Sequence, residues 1–368
     1  MKAPPTIHFL IGTKAQLIKL APVMKALDEM DISYRMIDSG QHSETTRSLR
    51  ESFSLKEPDI TLRTGRDIST ITHAMTWTFG LAMSALFRRK HLQKNIFPGG
   101  GICVVHGDTL STLIGMLLAK SAGLKIAHVE AGLRSNRLFD PFPEELIRLL
   151  VMRHADLLLA PSEQAFSNLQ QMRLKGRCER IGGNTVLDAI RIASTPPPGI
   201  TLPEHRYALV TCHRLETITN RMRLTRVVDL INKVAKQMPV VFVIHKVTKR
   251  WLARYALIDR LDETILKVNS LDYPHFSYLL KNARCVIADG GSIQEECAYL
   301  GKPCLIIRNT TEREDGIGEN AILWQFDGST ADQFMKSLES LERHPSHETC
   351  TPSAEAAKHI AAELGRAG

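Results

Sequence analysis

The stretch ICVVHGDTLSTLIGMLLAKSAGLKIAHV, residues 102–129, holds one complete strand–helix–strand repeat. Its two ends, residues 102–106 and 125–129, are short apolar runs typical of buried strands, and residues 109–122 carry the longer apolar pattern of a helix. Gly123 is a typical helix stop. Because parallel strands need such a crossover connection, the stretch predicts a parallel sheet covered by helices.

The same alternation continues along the chain in both directions, and it starts again after a proline-rich connector at residues 194–205. Further strands are predicted at residues 6–11, 33–38, 157–160, 207–212, 239–244, 265–268, 284–288 and 303–307, and further helices at residues 14–30, 44–53, 68–92, 142–154, 220–237, 248–258, 274–282 and 292–300. The predicted fold class is α/β, with two Rossmann-like doubly wound domains facing a central cleft. The predicted domains are residues 1–175 and 176–352, and a final helix at residues 353–368 is expected to pack back onto the first domain.

The composition is that of a globular protein with a cationic surplus. Of the 368 residues, 43% are hydrophobic and 23% are charged, so disorder is excluded and two domains are expected. The formal net charge of +8 favours anionic ligands such as nucleotides, phosphates or a membrane surface, although a modest surface surplus of lysine and arginine explains it equally well. Aromatic residues make up 6% of the chain, which argues against a nucleic-acid partner bound by stacking.

The cysteines and the apolar runs bear on the cellular compartment. Seven cysteines, an odd number without a CxxC pair, indicate reduced buried thiols and no metal site. The N-terminal MKAPPTIHFLIGT lacks the apolar segment and cleavage site of a signal peptide, and there is no run of 18 apolar residues. We therefore expect a cytoplasmic protein without integral membrane contact. The apolar residues 73–90, which end in three cations, are interpreted as a core helix and not as a membrane contact.

Three acidic residues follow strand-like runs or open a helix in the first domain. Asp108 lies in the motif HGDT, Glu130 in HVEAGLR and Glu144 in PFPEE. Since ligands of open parallel sheets bind at the carboxyl ends of the strands, these carboxylates are predicted to converge on an anionic ligand and to move protons. For Glu144 alone, an ordinary first-turn acid that complements the helix dipole is an equal alternative.

Basic residues at strand-to-helix junctions are candidate phosphate ligands. Lys14 and Lys19 lie in GTKAQLIK and are well placed for a diphosphate. His213 and Arg214, in TCHRLET, could act as an acid and as a two-pronged phosphate clamp, or could simply lie in an exposed loop.

The segment DGGSIQEE, residues 289–296, follows another predicted strand and opens a helix. Gly290 and Gly291 let the backbone approach an anion, which the N–H groups and the dipole of the helix attract. Glu296 is placed to accept hydrogen bonds from ribose hydroxyls. The alternative is a tight turn with a capping acid. The motif SGQH adds Gln41 to the predicted rim of the site.

Nine motifs, in order along nearly the whole chain, resemble those of the non-hydrolysing UDP-N-acetylglucosamine 2-epimerases. They are GTKAQLIKLAPV, SGQH, HGDT, HVEAGLR, PFPEE, GNTVLDA, HRLE, IQEE and TTER. The resemblance implies two domains of the glycosyltransferase-B type, of which the second binds UDP, and it implies neither a metal nor a nicotinamide cofactor. It implies a UDP-sugar substrate whose C2 is inverted by elimination and re-addition of UDP, for polysaccharide synthesis, and it suggests a homodimer.

The resemblance also carries residue roles onto this chain. The matching catalytic residues are Asp108, Glu130, Glu144 and His213, of which the three acids serve C2 of the sugar and the histidine lies near the diphosphate. The matching substrate- or UDP-binding residues are Lys14, Lys19, Gln41, Arg134, Arg214, Phe276, Gly290, Gly291, Ser292, Glu296 and Arg313, with Phe276 near the uracil. Which acid removes the proton and which returns it stays open.

Several positions depart from the family pattern. Lys14 replaces an arginine and loses its two-pronged geometry, Gln16 replaces a glutamate, and Leu215 interrupts the family's HRRE. The order DGGS replaces DSGG, so Ser292 brings a Cβ to a position where the backbone approaches phosphate. These changes suggest a divergent branch acting on a modified UDP-HexNAc sugar. The alternatives are a hydrolysing 2-epimerase that releases ManNAc and UDP, a glycosyltransferase of the same architecture, and a catalytically silent nucleotide-sugar sensor.

Overall fold

The chain forms two compact units. The computed structural model describes residues 5–40, 43–62, 89–135, 143–192, 194–204, 206–311, 315–345 and 350–366. The first unit contains Met1–Ile192 together with Cys350–Gly368, and the second contains Ala193–Thr349.

The first unit is built on a parallel sheet. Its strands are β1 (Thr6–Ile11), β2 (Tyr34–Asp38), β3 (Ile60–Thr61), β4 (Gly101–His106), β5 (Lys125–Val129), β6 (Leu157–Ala160) and β7 (Arg177–Arg180). Within the described residues they form one seven-stranded sheet in the order β3-β2-β1-β4-β5-β6-β7. Its helices are α1 (Lys14–Glu29), α2 (Ser43–Ser52), α3 (Arg89–His91), α4 (Leu110–Ala122), α5 (Glu144–His154), α6 (Glu163–Gln171), α7 (Val186–Ile192) and the C-terminal α15 (Pro352–Gly365), and a π-helix, Leu92–Ile96, follows α3.

The second unit repeats this plan. Its strands are β8 (Ala208–Thr211), β9 (Val240–Ile244), β10 (Leu266–Asn269), β11 (Cys285–Ala288), β12 (Cys304–Ile306) and β13 (Ala321–Leu323). Within the described residues they form a parallel sheet in the order β10-β9-β8-β11-β12-β13. Its helices are α8 (Leu215–Ile218), α9 (Arg221–Ala235), α10 (Lys246–Arg254), α11 (Tyr273–Asn282), α12 (Gly291–Leu300), α13 (Gly328–Lys336) and α14 (Leu338–Leu341), with a 3-10 helix at Ile258–Arg260.

Burial and capping explain why the central repeat folds as predicted. Ile102, Val104 and Ile126 on β4 and β5 have no exposed surface, as expected for strands covered by helices on both faces. The helix between these strands ends at Gly123, which has a φ of 87° in the left-handed region that favours glycine. The predicted alternation of strands and helices is thus confirmed for residues 102–129.

The first unit ends later than the predicted boundary at residue 175. β7 pairs in parallel with β6, and α7 also belongs to this unit, which therefore runs to Ile192. The sequence of β7, RCER, is polar and only half-buried because it lies at the edge of the sheet. It therefore lacks the apolar run that marks the predicted strands, and the short β3 and β13 were likewise not predicted.

The C-terminal helix α15 belongs to the first unit. Lys125 Nζ, at the start of β5, donates to Glu363 Oε1 on α15 at 2.8 Å. The predicted helix at residues 68–92 lies largely outside the described residues, apart from α3 and the π-helix that follows it. None of the described helices combines the length and the apolar character needed to cross a bilayer.

Candidate active site

The carboxyl edge of the first sheet gathers the predicted acids. The turn at Gly12 follows β1, Asp108 follows β4 and Glu130 follows β5, and these three strands are neighbours. The order of strands reverses between β1 and β4, and open α/β sheets bind their ligands at such a switch point. The predicted convergence of Asp108 and Glu130 on one edge is therefore present in the fold.

Glu130 is held from several sides. Its carboxylate forms an ion pair with Lys19 and accepts a hydrogen bond from Asn184 Nδ2 at 2.6 Å. His106 Nε2 lies 3.4 Å from the same oxygen, Oε2. The backbone of Glu130 has a φ of 65°, a left-handed conformation that costs a residue with a side chain about 1 kcal/mol or more. The three contacts fix this carboxylate at the end of β5 and offset the cost of the strained backbone.

Asp108 is connected to a buried charge cluster. It pairs with Arg148, and Arg148 also pairs with Glu145, which has no exposed surface. Arg134 Nε donates to Glu145 Oε1 at 2.5 Å, and the backbone N–H of Ser135 donates to Oε2 at 3.2 Å. The cluster orients Asp108 through Arg148 and gives the predicted ligand Arg134 a structural partner.

The pKa of Glu145 shows which effect dominates in this cluster. Burial on its own raises the pKa of a carboxyl. The hydrogen bonds from Arg134 and Ser135 and the charge of Arg148 outweigh burial and hold the pKa of Glu145 below its ordinary value. Glu145 is therefore an ionised anchor for the two arginines.

The two glutamates of PFPEE have separate surroundings. Both lie in the first turn of α5, where acids complement the helix dipole. Whereas Glu145 is fully buried and paired, Glu144 is half-buried, and its Oε2 is a buried atom without a hydrogen-bond partner among the described residues. A buried oxygen of this kind suits a group that exchanges a proton with a ligand.

Gln16 ties the start of α1 to the end of β4. Its Oε1 accepts hydrogen bonds from the backbone N–H of Gly12 at 2.8 Å and from Ser111 Oγ at 3.0 Å. Its Nε2 donates to the carbonyl oxygen of His106 at 3.0 Å and to Thr109 Oγ1 at 2.9 Å. The neutral amide that replaces the family's glutamate thus uses both its donor and its acceptor beside Asp108.

The remaining predicted residues of the first unit have simpler positions. Lys14 is half-buried at the first position of α1, as predicted for a strand-to-helix junction. Gln41 lies outside the described residues.

The carboxyl edge of the second sheet is organised around Asp289. This residue follows β11, has no exposed surface, and accepts the backbone N–H groups of His213 and Arg214 through Oδ2, at 2.7 Å each. His213 Nδ1 lies 3.2 Å from the other oxygen, Oδ1. β8 and β11 are adjacent at the switch point of this sheet, so Asp289 fixes the loop that presents His213 and Arg214.

His213 also contacts a residue that the sequence analysis did not single out. Its ring lies against that of His245, with the centroids 4.6 Å apart and the planes tilted by 35°. His245 directly precedes α10, at the end of β9. Its position after a predicted strand is the signal by which sequence analysis could have found it.

The glycine-rich turn opens a helix as predicted. Gly290 caps the amino end of α12 with a φ of −84°, which any residue can adopt, so the glycine here is not needed for its conformation. A Cβ added to Gly290 would lie 3.2 Å from Ile293 Cδ1 and 3.7 Å from His213 Cε1. Gly291 is buried and Ser292 is exposed. The Cβ that Ser292 adds, where this chain departs from the family motif, therefore points away from the core.

Glu296 and Phe276 lie on neighbouring helices of this unit. Glu296 is 4% exposed on α12, and its charge adds to burial in raising the pKa of Tyr273 well above the ordinary value. Phe276, three residues further along α11, is half-buried and packs against the apolar core. Arg313 lies outside the described residues, but the neighbouring Thr311 donates to Gln294 Oε1 on α12 at 2.9 Å.

Among the described residues, no group of three or more histidine, cysteine, aspartate or glutamate side chains could hold a metal ion. The carboxyl edges of the first and second sheets suit different chemistry. The first has carboxylates suited to proton transfer, and the second has a helix amino end with a histidine and an arginine nearby, suited to an anion.

Known proteins are similar to this chain in both sequence and fold. A family profile described as UDP-N-acetylglucosamine 2-epimerase matches residues 25–361. The chain belongs to this family. The UDP-N-acetylglucosamine 2-epimerase of Methanocaldococcus jannaschii is 29% identical over 352 residues, 90% of this chain and 91% of that protein. The Bacillus subtilis epimerase is 31% identical over 319 residues, 84% of this chain and 80% of that protein.

A solved structure of an epimerase extends the similarity to three dimensions. The crystal structure of the M. jannaschii UDP-GlcNAc 2-epimerase in complex with UDP-GlcNAc and UDP matches 98% of this chain and 99% of that chain, with a TM-score of 0.75 and 27% identity. The predicted epimerase family and the predicted α/β class, with two Rossmann-like units of the glycosyltransferase-B type, are confirmed.

Proposed function

We propose that this protein inverts C2 of UDP-N-acetylglucosamine, or of a modified UDP-HexNAc, and releases the product still bound to UDP. The observation that carries the proposal is the pair of fixed carboxylates at one switch point, Glu130 beside Lys19 and Asp108 beside Arg148. The M. jannaschii relative was crystallised with both UDP-GlcNAc and UDP, which suits a reaction in which UDP leaves and returns.

The chemistry needs more than one acid. A carboxylate removes the C2 proton while the bond between C1 and the UDP oxygen breaks, and a double bond forms between C1 and C2. UDP then adds back to C1, and a proton is delivered to the opposite face of C2. A C2 proton is a very weak acid, so the departing UDP must be stabilised where it stands.

The proposal assigns the proton transfers to the first unit and the binding of UDP to the second. Asp108, Glu130 and Glu144 are the proposed acids and bases. His213 is proposed to act near the diphosphate, whereas the amino end of α12, at Gly290, is proposed to bind it. The resemblance to the 2-epimerase family also leads us to propose that the protein is a homodimer. Light scattering of the purified protein tests this.

Proton NMR of the purified protein with UDP-GlcNAc in D2O tests the reaction. We expect UDP-ManNAc with deuterium at C2, because the C2 proton exchanges with solvent while it is held by a carboxylate. Free ManNAc together with UDP would assign the protein to the hydrolysing branch. Unchanged UDP-GlcNAc would exclude it as the substrate and direct the same experiment to modified UDP-HexNAc sugars.

A further inference from the structure

A strongly basic cavity lies at the opposite edge of the first sheet. It has a volume of about 880 Å³ and is lined from the amino ends of β5, β6 and β7 and the carboxyl ends of four helices, α4, α5, α6 and α15. Lys125 lines the cavity and begins β5, whereas Glu130 follows the same strand, so the strand separates the cavity from the candidate active site by roughly 16 Å.

The charge of the lining is unbalanced. Among the described residues that line the cavity, seven are lysine or arginine, and Asp156 and Glu363 are the carboxylates. This one region thus holds a formal surplus of five positive charges, more than half of the chain's net charge of +8. A random surface surplus would instead be spread over both units.

The two carboxylates are already in use. Asp156 Oδ2 accepts hydrogen bonds from Lys120 Nζ and from the backbone N–H of Ile126, at 2.7 Å each. Glu363 Oε1 accepts a hydrogen bond from Lys125 Nζ at 2.8 Å. Glu363 Oε2 also lies 3.6 Å from Arg177 Nε and 3.8 Å from Arg366 Nη1. The two carboxylates are thus shared among four of the seven cations, and neither pairs with Arg153, Arg173 or Lys175.

Three cations remain without a counter-charge. Arg153, Arg173 and Lys175 are exposed, and they form no ion pair with any described residue. Arg177 contributes a further donor, because its Nη2 is a buried atom without a hydrogen-bond partner among the described residues. Arginine forks of this kind bind phosphate oxygens in pairs.

Helix dipoles explain only part of this charge. A helix carboxyl end carries about half a negative charge, so cations there are ordinary, and four such ends surround the cavity. Together they offset about two positive charges. Since the formal surplus is five, a net positive potential remains for a ligand.

We propose that this basic cavity binds a ligand that carries two or more phosphate groups. Its volume lies within the range of about 300–1,000 Å³ that is usual for small-molecule sites. The described lining contains no tryptophan, tyrosine or phenylalanine ring, so the cavity recognises charge and not a stacked base. The same phosphate chemistry can come from a soluble oligophosphate or from the headgroups of an anionic lipid surface.

Two triple variants test the proposal by calorimetry with inorganic tripolyphosphate. The cavity variant combines Arg153→Gln, Arg173→Gln and Lys175→Gln, and the control combines Arg221→Gln, Arg250→Gln and Lys358→Gln, which are exposed positions outside the cavity. Both lose three positive charges. We expect the cavity variant to bind tripolyphosphate at least about tenfold more weakly than the control, with an affinity that falls as salt is raised.

The lipid source is tested by flotation with phosphatidylcholine vesicles that contain phosphatidylglycerol. If the cavity variant loses vesicle binding while both variants bind tripolyphosphate alike, the cavity takes lipid headgroups. If the two variants behave alike towards both probes, the proposal is wrong. Neither variant changes a proposed catalytic residue, so this outcome is independent of whether the protein proves to be an epimerase.

Discussion

At the carboxyl edge of the first sheet the polar groups are mainly side chains that bind one another, whereas at the same edge of the second sheet they are mainly backbone N–H groups. Glu130 and Glu145 are each held by cationic side chains, but Asp289 accepts the backbone N–H groups of His213 and Arg214. Both edges lie at the switch point of a doubly wound sheet. The comparison teaches that one topology can supply ionised acids in one unit and anion-binding backbone in the other.

The largest effect is expected from Glu130→Gln. The amide keeps the size of the side chain but cannot take up a proton, and general acid–base catalysis contributes about 10²–10⁴-fold to a rate. We expect the rate of C2 deuterium exchange to fall by that factor while the affinity for UDP is retained. Glu29→Gln, at an exposed position of the same unit, is the matched control. Full activity of Glu130→Gln would contradict the assignment of proton transfer to this edge.

The second-largest effect is expected from Glu145→Gln, on the free energy of unfolding. Removing one partner from a buried charge cluster costs about 3–5 kcal/mol, because Arg134 and Arg148 keep their charge. Urea unfolding measures this change. Asp332→Asn removes the exposed ion pair with Lys233 in the second unit, where we expect a loss of about 1 kcal/mol or less. Equal losses in the two variants would show that the cluster is not specially stabilising.

A smaller effect is expected from the titration of His128. This residue lies within β5 and is fully buried, and its Nε2–H donates to the carbonyl oxygen of Gly107 at 2.7 Å. Burial lowers its pKa to about 4, from an ordinary value of 6.5. Between these values the unfolded chain binds a proton that the folded chain does not, so stability falls as the pH falls, by about 3 kcal/mol in total.

His128→Gln isolates this contribution from the other titrating groups. Thermal unfolding of the variant and of the unchanged protein is compared at pH 7 and at pH 4. We expect the variant to lose less stability on acidification, by about 3 kcal/mol. If both proteins lose the same stability between pH 7 and pH 4, His128 is not the source of this pH dependence.

The smallest effect is expected from Gly290→Ala at the edge of the second sheet. The backbone conformation allows alanine, and the new Cβ meets the flexible end of Ile293, so stability should change by less than about 1 kcal/mol. If a diphosphate approaches this backbone, the affinity for UDP should fall by about tenfold with little change in kcat. Gly328→Ala, where a Cβ meets nothing within 4 Å, is the control. Unchanged UDP affinity in Gly290→Ala would exclude close approach at this turn.

Much of the fold could be predicted because buried parallel strands are continuous apolar runs. β4 and β5 have this pattern and were placed to within a residue. β7, with the sequence RCER, lies at a sheet edge and is not covered like a central strand, so no apolar run marks it. The predicted boundary at residue 175 lies just before this strand, whereas the first unit runs to Ile192.

The acids of the candidate site could be placed on one edge, but their partners could not. Strand ends alone locate Asp108 and Glu130. The contact of Glu130 with Asn184 joins residues 54 positions apart, and it depends on how α7 is connected to the sheet. The choice between Glu144 and Glu145 likewise depends on which one faces Arg134 and Arg148, and two adjacent glutamates do not reveal this in a sequence.

The left-handed backbone at Glu130 sets conformation against chemistry. With a φ of 65°, this position is one where glycine would relax the chain, yet glycine has no carboxylate. Glycine would relieve about 1 kcal/mol of backbone strain, but it would also remove the ion pair with the buried Lys19, and breaking such a pair costs about 3–5 kcal/mol. A directed-evolution experiment that selects for stability alone is therefore expected to retain at residue 130 the carboxylate that we propose to be catalytic.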